Sequence, residues 1–268
     1  MNSAAGAALV VAMTFLCGCA PGTSHPASSL VTTSPVITTG PVATTAPRSF
    51  VTGFESLADF RGMYISPQTA TTRHALVAAP RHGGRLAHCA WLTGAGTSTD
   101  TDGPNHRGYP TVQLQKLEPD GFATPVVIDL WVWVDTTLQP GQWLSLATVS
   151  PDPSDRWARV VTVNLDPGGW IDVFHVPDQG QHQPTIETHR PFPSRQWVKL
   201  TIRIDFDARH GSIDVRQDGA LVASAKVNGG HGRLEQAHFG MYAIASMASA
   251  KVCNDDLKIA SASGVTAP

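Results

Sequence analysis

Between Trp197 and Asp207 the apolar residues Val198, Leu200, Ile202, Ile204 and Phe206 alternate with Lys199, Thr201, Arg203 and Asp205. A period of two gathers the apolar side chains on one face of an extended strand, whereas a helix would scatter them around its circumference. The same pattern, in weaker form, predicts strands at 109–117, 126–135, 143–149, 157–165, 170–176, 212–217, 220–227, 238–244 and 251–259. Asp218-Gly219 between two of them fits a tight hairpin turn, because both residues tolerate positive φ. No segment shows amphipathic helical spacing. Only 15% of residues are charged, against about 25% in an average soluble domain, and Ser, Thr, Gly and Pro take up the difference. About ten strands in one stretch of roughly 210 residues need two packed antiparallel sheets, so the expected fold is an all-β sandwich of jelly-roll type.

The formal net charge is -2, from 19 basic and 21 acidic residues. Such a balance creates no field for phosphate backbones, so nucleic acid is excluded as a partner. No apolar run reaches the roughly 18–20 residues that span a bilayer. Residues 1–18 nevertheless carry an apolar stretch ending in Leu16-Cys17-Gly18-Cys19, which resembles a bacterial lipoprotein signal. That resemblance implies lipidation of Cys19 and a membrane contact through the lipid anchor only, on the extracytoplasmic face. No Lys or Arg precedes the apolar stretch, which leaves an ordinary secretory signal as the alternative. Residues 19–49, rich in Ser, Thr and Pro without apolar period, read as a disordered tether, either O-glycosylated or bare. The folded domain is expected over 50–262, with a short tail at 263–268. Of the four cysteines, Cys17 leaves with the signal and Cys19 is acylated. Cys89 and Cys253 then remain as a pair in an oxidising compartment and are expected to be bonded.

Four segments, GFESLADF at 53–60, HRGYPTVQL at 106–114, the run 197–225 and HFGMYAIASMASAKVCNDDLKI at 238–259, resemble the concanavalin A-like lectin and glucanase jelly roll. Within that superfamily they are most similar to polysaccharide lyases of the heparin-lyase and alginate-lyase type. The resemblance implies a curved sheet whose concave face holds a sugar chain. It also implies catalytic roles for His175, Tyr242 and Tyr109, with Gln113 in the place of the group that neutralises a uronate. The family's strand motif has Arg and Glu where this chain has Tyr109-Pro110-Thr111-Val112-Gln113, so Arg107 alone is left to meet a carboxylate. The superfamily's hydrolases use a Glu-x-Asp-x-x-Glu strand; the nearest segment here, Asp129 to Asp135, lacks it. In related sugar-binding modules a structural calcium lies between an early Glu and an Asp of the final strand, which implies Glu55 and Asp256 as ligands. The alternative for both is a solvated carboxylate at a sheet edge. No other cofactor is required.

The residues themselves support a polar sheet face. Alternation sets Tyr109, Thr111, Gln113 and Gln115 against Val112 and Leu114, and His238 shares a face with Tyr242. Trp131 and Trp133 share a strand face with Asp129 and Asp135. They read either as a stacking platform for sugar rings or as packing under a loop. Two functions follow. One is an anchored, monomeric lipoprotein that binds a polysaccharide and cleaves it by β-elimination. The other is a non-catalytic module of the cell envelope with a structural or adhesive role.

Overall fold

The computed structural model describes residues 48–56, 68–96, 105–153, 159–176 and 184–262. The N-terminal signal, Cys19, the tether up to residue 47 and the tail 263–268 lie outside the described residues. In chain order the first strands are β1 (Ser49–Thr52), β2 (Thr72–Val77), β3 (Ala87–Leu92), β4 (His106–Gly108), β5 (Thr111–Gln113), β6 (Phe122–Ala123), β7 (Val126–Asp135) and β8 (Leu144–Ser150). There follow β9 (Val161–Leu165), β10 (Ile171–His175), β11 (Pro184–Glu187), β12 (Trp197–Asp205), β13 (Ser212–Gln217), β14 (Ala220–Lys226), β15 (Arg233–Leu234), β16 (Gln236–Ala243) and β17 (Lys251–Ser261). The larger sheet runs β11-β14-β13-β12-β7-β17-β3-β2, with β1 also on β17; the smaller runs β10-β9-β8-β16-β4, with β5 also on β16. All pairings are antiparallel. This is the two-sheet, all-β sandwich that the alternation requires.

The core forms where the two inner faces meet. From the larger sheet come Ile128, Leu130 and Val132 of β7 and Leu200, Ile202 and Ile204 of β12, with Leu200 opposite Leu130 and Ile202 opposite Ile128. From the smaller come Leu144, Leu146, Val149, Val161, Val163, Phe239 and Met241, and every one of these side chains is fully buried. Truncating such a residue, Leu200→Ala for example, costs about 2–5 kcal/mol through lost transfer energy and the cavity left behind. The turn between β13 and β14 is the one expected, with Asp218 at φ 49° and Gly219 at φ 83°.

Two strand boundaries differ from the sequence expectation. The segment 109–117 is not one strand. Tyr109-Pro110 separates β4 from β5, because Pro110 has no N–H to continue the ladder, and a 3-10 turn at Leu114–Lys116 follows. The expected strand at 157–165 is described only from Val161. The structure also adds β1, β2 and β3 on the early half of the chain, where alternation is blurred. In β3, AHCAWL, five of six residues are buried, so both faces are covered.

Candidate functional site

The outer face of the smaller sheet holds many of the buried polar side chains among the described residues. Cross-strand registers align its side chains into rungs. One rung reads Asp172 (β10), Asn164 (β9), Ser145 (β8), Tyr242 (β16) and Arg107 (β4). A second reads Phe174, Thr162, Thr148, His238 and Thr111. A third, shorter, holds Ser150, Gln236 and Gln113. Bulges in both β8 and β16 keep the rungs level. The β16 bulge carries Gly240 at φ 138°, where a Cβ would fall 2.6 Å from the carbonyl oxygen of Gly108, so only glycine allows β4 to lie this close. Most side chains of the rungs are buried although they point away from the core. The face is therefore a recess, and it includes a cleft of about 380 Å³ lined by Asn105, Trp143, Thr162, Asn164, Asp172, Phe174 and Tyr242.

Hydrogen bonds order the floor of this recess. Gln236 Nε2 lies 2.9 Å from His238 Nε2, and Thr111 Oγ1 lies 3.4 Å from Nδ1. The Gln236 amide is a donor, so Nε2 accepts and the ring proton sits on Nδ1, directed at the threonine hydroxyl. Burial, and then the charge of Arg107, lower the His238 pKa to about 3. His238 is thus a neutral, oriented group and a poor proton acceptor at neutral pH. The Tyr109 ring meets it edge-on with centroids 4.6 Å apart. Tyr242 accepts a 3.0 Å hydrogen bond from Asn105 Nδ2, its ring lies 5.0 Å from that of Trp143, and the Arg107 guanidinium sits 5.5 Å from its centroid. Asn164 Oδ1 and Gln113 Oε1 are buried without a hydrogen-bond partner among the described residues. A buried amide oxygen left so is costly unless something polar meets it. Amide, hydroxyl and phenol groups between aromatic walls, with one guanidinium and one carboxylate at opposite ends of a rung, suit a ligand rich in hydroxyl groups.

The structure brings together six of the residues singled out in the sequence: Arg107, Tyr109, Thr111, Gln113, His238 and Tyr242. It places the others elsewhere. His175 follows Phe174 on β10 and so points to the opposite side, into the sandwich with Ile171 and Val173. There Asn228 N donates to its Nε2 at 2.9 Å, and its Nδ1 lies 3.3 Å from the carbonyl oxygen of Val160. Both ring nitrogens are held by main chain, away from the recess. Trp131 and Trp133 belong to the outer face of the larger sheet, across the sandwich from the recess. His82 stacks on Trp131 with centroids 3.7 Å apart. Cys89 and Cys253 are directly opposite each other on β3 and β17 and form the expected disulfide.

Glu55 and Asp256 do approach one loop, residues 82–86. Glu55 Oε1 accepts from Arg85 N and Leu86 N at 2.6 and 3.3 Å, and Asp256 Oδ2 lies 2.7 Å from His82 Nδ1. The neighbouring Asp255 accepts from His82 N and Gly83 N. Glu55, Asp255 and Asp256 thus hold the loop through its N–H donors. Among the described residues no three His, Cys, Asp or Glu side chains are grouped to hold a metal ion.

Several residues of the recess were not singled out from the sequence: Asn105, Trp143, Ser145, Thr148, Thr162, Asn164, Asp172 and Gln236. A signal for some of them exists. Thr162 and Asn164 alternate with Val161, Val163 and Leu165, and Asp172 alternates with Ile171 and Val173.

No protein-family model matches the chain, and no curated protein matches its sequence. Solved structures do share its fold. An endo-β-1,4-glucuronan lyase from the fungus Trichoderma reesei superposes with a TM-score of 0.54 at 12% identity, covering 74% of this chain and 90% of its own. A cellulose-induced protein superposes with a TM-score of 0.53, also at 12% identity and with the same coverage. At this identity the likeness is one of fold, a two-sheet sandwich.

Proposed function

We propose that the recess on the smaller sheet binds a polysaccharide and that Cys19 anchors the protein to the membrane through lipid, with the segment before residue 48 as its tether. The single observation that carries the binding reading is the rung Asp172–Asn164–Ser145–Tyr242–Arg107, which crosses five strands. At about 4.8 Å per strand it extends roughly 19 Å, the reach of an oligosaccharide rather than of one sugar. Asn105, Thr162, Asn164 and Asp172 line the cleft and offer polar groups to hydroxyls, and Trp143, Phe174 and Tyr242 offer flat walls to sugar C–H faces. The glucuronan lyase with the same fold, named for its action on a polysaccharide, is in keeping with this reading.

β-Elimination is a second reading, and one observation favours it. The Tyr242 oxygen lines the cleft, held by Asn105, with Arg107 beside its ring. On a uronate, Arg107 would pair with the carboxylate while Tyr242, ionised to the phenolate by loss of its proton to solvent, takes the proton from the carbon α to it and returns to the phenol. The electron pair of that C–H bond becomes the new C=C bond as the glycosidic oxygen leaves, taking a proton from solvent or a side chain. His238, neutral and already hydrogen-bonded at both nitrogens, would orient rather than abstract. Titration calorimetry against a panel of neutral and uronic polysaccharides tests binding, and ultraviolet absorbance of an unsaturated product tests elimination. Tyr242→Phe should abolish product while leaving affinity within about threefold. Binding without product would identify a non-catalytic module, and absence of binding to every glycan would contradict the proposal.

A further inference from the structure

The outer face of the larger sheet carries four tryptophans, Trp91, Trp131, Trp133 and Trp197, all partly exposed. Their placement follows from register. Trp197 on β12 stands directly opposite Trp133 on β7, and Trp133 stands opposite Cys253 on β17, which is bonded to Cys89 on β3. Trp91 lies on β3 two residues beyond Cys89, opposite Lys251, which in turn faces Asp135. From Trp197 to Trp91 the face crosses three strand spacings, roughly 14 Å. The disulfide ties two of the four strands beneath it, so the indoles stand on a fixed floor.

Polar groups border these rings. Lys251 Nζ lies 5.6 Å from the Trp133 centroid, and Arg195 Nε donates to Asp135 Oδ1 at 2.9 Å. Trp91, Asp135, Arg195 and Lys251 share an open depression of about 630 Å³. Trp131 is different, because His82 covers it.

We infer that Trp91, Trp133 and Trp197, with Lys251, Asp135 and Arg195, form a second glycan-binding surface, separate from the recess on the other side of the sandwich. Its ligand is a β-linked pyranose chain with equatorial hydroxyl groups. Flat indole faces match the C–H patches of such rings, while a lysine, an arginine and an aspartate at the margin match their hydroxyl groups, donors and acceptor together. A purely apolar partner would strip water from the Lys251 ammonium and from the Asp135–Arg195 pair without offering them hydrogen bonds in return. The inference stands independently of the recess, because it uses none of its residues.

Co-sedimentation with insoluble cellulose, chitin and xylan tests it. Wild-type protein should bind at least one of the three, and Trp91→Ala or Trp133→Ala should weaken that binding roughly tenfold or more. Arg195→Gln, at a residue whose side chain is 71% exposed, gives a variant with little risk to folding and should weaken it about threefold. Melting curves check that each variant is folded. Asn164→Ala should not change this component; should it alone abolish sedimentation, the binding belongs to the recess and the inference fails. Unchanged sedimentation of the tryptophan variants would overturn it as well. So would a dimer, seen in sedimentation velocity, that the same variants dissociate without any effect on glycan binding.

Discussion

Tyr242 and Arg107 are direct cross-strand partners on β16 and β4, and the guanidinium of the second lies 5.5 Å from the ring centroid of the first. This pair joins the aromatic wall of the cleft to the cationic end of the rung that begins at Asp172.

Substitutions at Tyr242 should separate those two contributions. Tyr242→Phe keeps the ring beside Arg107, Trp143 and Tyr109 and loses only the oxygen that accepts from Asn105, a change of about 1 kcal/mol or less. Tyr242→Leu removes the ring contacts too and should cost about 2–4 kcal/mol. Urea unfolding of the two variants measures the difference directly. Equal stabilities would mean that the stacked arrangement contributes nothing.

Acid should destabilise the fold through two histidines. Burial holds His238 and His88 to about 3, with Arg107 and His74 as the respective second causes. Their pKa in the unfolded chain is near 6.5, so between roughly pH 6.5 and 3 the unfolded state binds protons that the folded state refuses. Stability therefore falls as pH drops through that window, by up to about 1.4 kcal/mol per pH unit for each histidine. Asp255 and Glu235 act in the opposite sense. Burial raises both, so the folded chain takes up their protons first and regains part of the loss near the carboxylate range. Thermal midpoints measured from pH 7 to pH 4 should fall, and His238→Gln should flatten the fall. A midpoint independent of pH across this range would contradict the burial of both imidazoles as neutral groups.

The disulfide closes a sequence separation of 164 residues. Chain entropy alone gives such a link a worth of about 5 kcal/mol, and in this sandwich it joins β3 to the last strand, β17. Cys89→Ala with Cys253→Ala should lower unfolding free energy by about 3–5 kcal/mol. Mass spectrometry of the unreduced protein should show the two cysteine peptides linked. Two alkylatable thiols in the native exported protein would contradict the bond.

Membrane anchoring rests on Leu16-Cys17-Gly18-Cys19. Cys19→Ala should move the protein out of the detergent phase or leave an uncleaved precursor. The same mature mass and the same partitioning in the variant would remove the anchor.

Alternation made the sandwich legible, because Val198 to Ile204 and Val126 to Val134 each have one wet face and one dry face. It could not say which sheet a strand joins. Trp131 and Trp133 were correctly on one face of β7, yet that face lies across the molecule from Tyr242. Parity also decides His175: it stands with Ile171 and Val173, and Phe174 is the residue on β10 that reaches the cleft. β16 hid its site for another reason. All eight of its residues are buried, and although Gln236, His238 and Tyr242 alternate with Ala237, Phe239 and Met241, the rungs appear only once β8, β4 and β5 are in register with it. Ser145 and Thr148, three apart on β8, share a face only because of a bulge, which no simple period of two contains.

The central claim is that the rung from Asp172 to Arg107 holds a glycan, and the most direct test is calorimetry on the double variant Asn164→Ala with Tyr242→Phe. Asn164 Oδ1 has no hydrogen-bond partner among the described residues, and Tyr242→Phe preserves the ring packing, so the thermal midpoint should stay within a few degrees of wild type. Affinity for the best glycan of the panel should fall about thirtyfold or more, the sum of two lost hydrogen-bonding positions. Affinity equal to that of the wild type, in a variant that melts normally, would contradict the account.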